Sequence, residues 1–132
     1  MVCQELVAFV LRRDSVEVET FPGVRRRVLA CGSNMLLTEN TYLRGSEVPR
    51  HVHDDLEQVN YIVVGKVLVG IGDKEYLFNS GDSYIVPKGV VHWLKALEDA
   101  VAVEVFSPPH PVFSKDLERV ARSVVPGRCT KA

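Results

Sequence analysis

Three of the four histidines in this 132-residue chain fall where their imidazoles can share one metal ion. His51 and His53 sit two apart in GSEVPRHVHDDLEQVNYIVVG, residues 45–65, and His92 sits in GDSYIVPKGVVHWLKA, residues 81–96. Neutral imidazole is a common ligand for zinc, nickel, iron, manganese and cobalt. In an extended strand, residues two apart point to the same face, so His51 and His53 can converge on one ion while Val52 points away. A further ligand can come from Glu57 or Gln58 after the Asp54-Asp55 turn, and His92 arrives from a later strand flanked on its own face by Val90 and Leu94. The fourth histidine, His110, lies in EVFSPPHPVF and is a candidate to line the same cavity.

Such ligands need a scaffold of short strands. From Asp14 to Phe106 the chain is a succession of β-prone runs broken by Gly, Pro, Asn and Asp: SVEVET, RRRVLAC, MLLTENTYL, EVPRHVH, QVNYIVV, KVLVGIG, KEYLF, SYIVP, VVHWLKA and AVAVEVF. That pattern predicts a barrel or sandwich. YIVVGKVLVGIG and AVAVEVF are apolar at nearly every position, so both faces of those strands are expected to avoid water. One face fills the barrel; the other packs on a second sheet, a terminal segment or another subunit, and a homodimer is the expectation. Beyond the barrel, Ser114 is placed to cap a short C-terminal helix over about 114–125, with Leu117, Val120, Ala121 and Val124 on one stripe and Pro126-Gly127 ending it. The expected organisation is a single domain over 1–132 with its barrel core at about 14–107.

Lys and Arg number 16 against 17 Asp and Glu, a net charge of −1, so no strong field draws the protein to nucleic acid or an anionic membrane. Arg25, Arg26 and Arg27 form the one dense basic run and are expected on a solvated strand edge. Cys3, Cys31 and Cys129 are odd in number and widely spaced, which fits reduced thiols better than a disulfide framework. The N-terminal apolar stretch lacks the features of a targeting signal, and no run approaches transmembrane length. A soluble, cytoplasmic protein is expected.

These residues resemble the two motifs of the cupins, G(X)5HXH(X)3,4E(X)6G and G(X)5PXG(X)2H(X)3N. Gly45, His51, His53 and Gly65 fit the first; Gly81, Pro87, Gly89 and His92 fit the second. Two positions depart from the pattern. Gln58 stands where glutamate is usual, and Ala96 replaces the terminal asparagine. The resemblance implies an all-β double-stranded β-helix, or jelly-roll barrel, holding one divalent transition metal through His51, His53, Gln58 and His92. Glu57, one residue from Gln58, would point to the opposite face of a regular strand. With three imidazoles and a neutral amide, the full charge of such a metal would go uncompensated, favouring anionic oxygen ligands.

From Phe21 to Phe113 the chain is similar to a narrower group, the pectin-degradation cupins that convert 4,5-unsaturated monouronates to linear keto forms. FPGVRRRVL, HVHDDLEQ and EVFSPP carry the likeness. That group places glutamine after the paired histidines and ends its last barrel strand in D-x-F-x-x-x-R. Glu104, Phe106 and His110 occupy those positions here. The resemblance implies Glu104 as general acid/base, Phe106 as an apolar floor, and His110 where the group has a carboxylate-binding arginine. Histidine offers at most one good donor to a carboxylate and is mostly neutral near pH 7. Alternation also puts Asn60 on the face of Gln58, and Trp93 opposite His92 as a packing residue. Ring opening of a small anionic sugar is therefore the leading expectation. A non-enzymatic sugar- or metabolite-binding cupin and an iron-dependent dioxygenase are the alternatives.

Overall fold

A computed structural model of the chain describes residues 9–110. After a short 3-10 turn at Arg12–Asp14, ten strands follow: β1 (Glu17–Phe21), β2 (Val24–Cys31), β3 (Leu36–Tyr42), β4 (Glu47–His51), β5 (Glu57–Val64), β6 (Lys66–Ile71), β7 (Lys74–Asn79), β8 (Ser83–Val86), β9 (His92–Ala96) and β10 (Ala100–Ser107). They form two antiparallel sheets, one in the order β1-β2-β3-β10-β5-β8 and the other β4-β9-β6-β7. Each of the ten β-prone runs in the sequence becomes one strand. The expected helix over 114–125 lies outside the described residues.

Period-two alternation decides what each strand buries. β10 alternates fully, with Ala100, Ala102, Glu104 and Phe106 buried and Val101, Val103, Val105 and Ser107 less so. The inward residues make two apolar clusters. One contains Val28, Cys31, Leu36, Leu56 and Phe106; the other contains Val24, Tyr42, Ile62, Val67, Val69, Leu94 and Ala102 among others. Four strands cross from one cluster to the other, and each carries polar residues at the crossing: Arg26 on β2, Thr38 and Asn40 on β3, Gln58 and Asn60 on β5, and Glu104 on β10. Strand register places these residues near one another. Glu104 pairs with Thr38 on one side and Asn60 on the other, and Arg26 pairs with Asn40. The barrel thus has a polar belt between two apolar layers.

Three details differ from expectation. EVPRHVH does not remain a strand to its end, because His51 pairs with His92, the first residue of β9, and β4 has no partner beyond it. His53 therefore sits in a loop, pinned by its carbonyl accepting from Gly89 N–H at 2.7 Å. For the same reason Val90 precedes β9 and is not part of it, leaving Leu94 as the apolar neighbour of His92 on that strand. In the single chain the outward face of β5 presents Val59, Tyr61 and Val63, each close to half accessible, with Ile85 of β8 beside them, as a surface open to a second subunit or to a segment outside the described residues. Nor is the basic run uniformly solvated: Arg25 is exposed, whereas Arg26 is buried.

Gly65 passes the chain from β5 in one sheet to β6 in the other with φ +99°, a region L side chains rarely adopt. A Cβ there would also run into the Asp99 carbonyl oxygen and lie 2.7 Å from Ala100 Cα. Gly65→Ala should lower stability by roughly 2–3 kcal/mol, combining backbone strain with backbone overlap. Gly81, at φ +90°, has nothing within 4 Å of its notional Cβ, so Gly81→Asn should cost clearly less. Urea midpoints of the two variants check the order.

Candidate metal centre

His51 closes β4 and His92 opens β9 directly across the ladder, while the loop beyond β4 returns His53 to the same spot. Their ring centroids are 4.0 Å (His51–His92), 4.9 Å (His51–His53) and 5.1 Å (His53–His92) apart. One nitrogen from each ring lies within 4.8 Å of the others, close enough to bind one metal ion.

The backbone fixes which nitrogen faces inward. His51 Nδ1 is 2.7 Å from the Pro49 carbonyl oxygen, and His92 Nδ1 is 2.9 Å from that of Val90. A carbonyl only accepts, so in both rings Nδ1 donates and Nε2 keeps its lone pair. This is the arrangement that orients histidine ligands in metal sites. His92 Nε2 is fully buried without a partner. So is Gln58 Oε1, while Gln58 Nε2 donates to Asn60 Oδ1 at 3.3 Å. Buried acceptors without donors are costly, and a cation is what such lone pairs can satisfy. The donor set of three imidazoles and one amide oxygen fits a divalent transition ion. Alternation on β5 buries Gln58 and exposes Glu57.

Burial also disfavours protonation of two of these rings. It pushes His92 down to about 4, and it lowers His53, with the charge of His51 adding to the effect. His110 is likewise pushed down to about 3, by burial first and then by His53 and Arg26. It packs with ring centroids 5.0 Å from His53 and 5.4 Å from Phe106, so it joins the same cavity as a neutral imidazole. Trp93 turns away, its indole filling the space where a Cβ on Gly70 would stand.

The histidines open on a cavity of about 720 Å³ whose wall includes Gln58, Asn60, Glu104, Phe106 and His110, all of them anticipated from the sequence. That volume is typical of a small-molecule site. Glu104 accepts from Asn40 Nδ2 at 2.8 Å and is 9% exposed. Burial pushes its carboxyl up to about 7, against the opposing pull of the Asn40 hydrogen bond, the Arg26 charge and an Asn60 hydrogen bond. Tyr42 and Tyr84 also line the cavity, with phenols held above their ordinary range by burial and by the Glu104 charge. Arg26, Asn40, Tyr42 and Tyr84 were not anticipated. Alternation was the available signal: Val24, Arg26 and Val28 share one face of β2, and Asn40 and Tyr42 share one face of β3.

Residues 40–107 match the Cupin domain family. The chain is a cupin. Over 92 residues it is 25% identical to the pectin degradation protein KdgF of Dickeya dadantii, a match covering 69% of this chain and 84% of that protein. The structure of KdgF from a Halomonas species superposes with a TM-score of 0.75 at 24% identity, covering 80% of this chain and 96% of the other. An RmlC-like cupin from Shewanella frigidimarina superposes with a TM-score of 0.77 at 24% identity, covering 83% and 98%. These likenesses place the chain among small cupins resembling KdgF.

Two measurements test the site. His51→Ala and His92→Ala should lose bound metal, measured by elemental analysis after incubation with a divalent ion, while Glu104→Gln should retain it. Glu104 also links folding to pH. Its folded pKa of about 7 lies above the ordinary carboxylate value of 4.5, so its contribution is fully present below pH 4.5 and is lost as pH rises through 7. In metal-free protein, wild type should therefore lose up to roughly 3 kcal/mol relative to Glu104→Gln between pH 5 and 8. Parallel denaturation curves at the two pH values for both proteins check this.

Proposed function

We propose that this cupin opens and ketonises a 4,5-unsaturated uronate, using one divalent ion (zinc, nickel, iron, manganese or cobalt) held by His51, His53, Gln58 and His92. The observation that carries this reading is Glu104, a buried carboxyl poised near neutrality on the wall of the cavity that the histidines enter. An acid/base works best when its pKa lies near the working pH. Likeness to a pectin degradation protein supports the substrate class.

The substrate is a cyclic enol ether bearing a carboxylate. Its anomeric hydroxyl gives up a proton and the C1–O5 bond breaks to an aldehyde. The electron pair passes to O5, leaving an enol or enolate at C5, and C4 then takes a proton to give the ketone. One proton leaves oxygen and one arrives at carbon, so the reaction is an isomerisation. When bound, a divalent ion supplies Lewis acidity toward substrate oxygens. Glu104 delivers or removes the proton, and Asn40 holds one of its carboxyl oxygens, fixing the direction of the other. Phe106 forms an apolar floor against which the ring can rest, and its contacts with His53 and His110 keep water from that side. His110, neutral, offers a single hydrogen bond.

Among the described residues no helix is long and apolar enough to cross a membrane. The same reading takes the chain as one cupin unit acting in the cytoplasm as a homodimer, with the exposed face of β5 and β8 as the surface to be buried.

Metal-loaded protein should abolish the enol-ether ultraviolet absorbance of unsaturated galacturonate or mannuronate. Glu104→Gln should retain metal and lose turnover by about 100-fold or more. Full activity in that variant would remove Glu104 from the chemistry. Saturable binding without turnover by wild type would instead make the protein a sugar-acid binder, and oxygen uptake with iron and a phenol or thiol would make it a dioxygenase.

A further inference from the structure

Among the four side chains assigned to the metal, Gln58 is the one whose two ends are chemically opposite. Its Oε1 carries the lone pairs a cation needs, whereas Nε2 carries only hydrogens. A carboxylate at this position could turn either oxygen inward. A carboxamide turned the wrong way would aim two N–H bonds at the ion, and because the two ends are nearly equal in size, packing alone does not choose between them. A polar neighbour has to set the direction.

Asn60 is placed to do so. It lies two residues further along β5 on the same inward face, is 2% exposed and lines the cavity. Its Oδ1 accepts from Gln58 Nε2 at 3.3 Å, which leaves Gln58 Oε1 buried without a donor. Asn60 is held the right way round from its other side. Its ladder partners are Glu104 on β10 and Tyr84 on β8, and its hydrogen bonds pull the pKa of each acid down against the effect of burial. A hydrogen bond that favours the ionised form of an acid is one donated to it, so Nδ2 faces Glu104 and Tyr84. Only Oδ1 remains for Gln58. Asn40 repeats the device from β3, donating through Nδ2 to Glu104 Oε1 at 2.8 Å, so the carboxyl sits between two amide donors.

We propose that Asn60 is a positioning residue for the metal centre, fixing the Gln58 carboxamide with its oxygen toward the histidines while Glu104 fixes Asn60 in turn. This rests on Gln58 serving as a ligand and extends that reading. Turning Gln58 over would set Oε1 against Asn60 Oδ1, two acceptors with no proton between them, in a belt closed to water. Turning both amides would move the same mismatch to Glu104. A glutamate ligand needs no such device, and a glutamine ligand does. The metal ligand and the acid/base are thereby joined through a single amide.

The test is the zinc affinity of full-length protein, measured by competition with a chromophoric chelator. Asn60→Leu should bind zinc roughly 10- to 100-fold more weakly than wild type. On a Gln58→Glu background, where the carboxylate has no wrong end, Asn60→Leu should change affinity by no more than about twofold. Asn60→Ala, taken through the same two backgrounds, serves if the leucine variant fails to fold. Unchanged zinc affinity in Asn60→Leu would overturn the positioning role. Equal losses in both backgrounds would do the same, because a residue that merely supports the barrel weakens both alike. Zinc binding as tight in Gln58→Leu as in wild type would overturn it together with the ligand assignment. Turnover is a separate readout. Zinc binding with the expected Asn60 dependence but no turnover of unsaturated uronate overturns only the enzymatic reading, whereas turnover with full zinc affinity in Asn60→Leu overturns only the positioning role.

Discussion

Withdrawal of a polar belt from water is the constraint on which the rest of this barrel depends. Six side chains on four strands, Arg26, Thr38, Asn40, Gln58, Asn60 and Glu104, are each less than a tenth exposed. Apolar layers on both sides exclude solvent from them. Each polar group must then find a partner inside, and the consequences propagate: Asn40 is committed to Glu104, Asn60 to Gln58, and the Gln58 carbonyl is left facing the cavity. The same desolvation moves Glu104 toward neutrality and moves His53, His92 and His110 away from protonation. One physical cause thus keeps the imidazoles able to coordinate and the carboxyl able to exchange a proton.

Precision comes from backbone more than from side-chain packing. Two of the three histidines are held by carbonyls two residues earlier in their own segments, so the rigidity of the ladder is transferred to the rings. His53 depends on a different device, a loop closed by a hydrogen bond to the Gly89 amide. That bond joins the two halves of the histidine pattern, since Gly89 precedes His92 by three residues. The sheet positions two of the clustered histidines and the loop brings in the third.

Much of this was legible in the sequence because strands impose strict alternation. Ten β-prone runs became ten strands, Gln58 and Glu57 took opposite faces as period two requires, and Glu104 and Phe106 fell together on the inner face of β10. What misled was the treatment of Arg25–Arg27 as a block. Charge density suggested a solvated edge, whereas the flanking valines two residues either side of Arg26 carried the decisive information. The end of β4 was hidden for a different reason: a strand stops where its ladder partner starts, and that depends on pairing between residues some forty positions apart. Apolar outward residues on β5 predict a covered face. Local composition does not specify what covers it, and among the described residues Val59, Tyr61 and Val63 remain exposed.

Trp93 is the chain's single tryptophan, and it is the peptide neighbour of His92. Its indole stands over its ladder partner Gly70, on the opposite face of β9 from the imidazole. The molecule consequently carries an intrinsic fluorophore one residue away from its candidate metal centre. Emission intensity becomes an optical gauge of occupancy, since open-shell ions such as nickel or cobalt quench a nearby excited indole and closed-shell zinc does not.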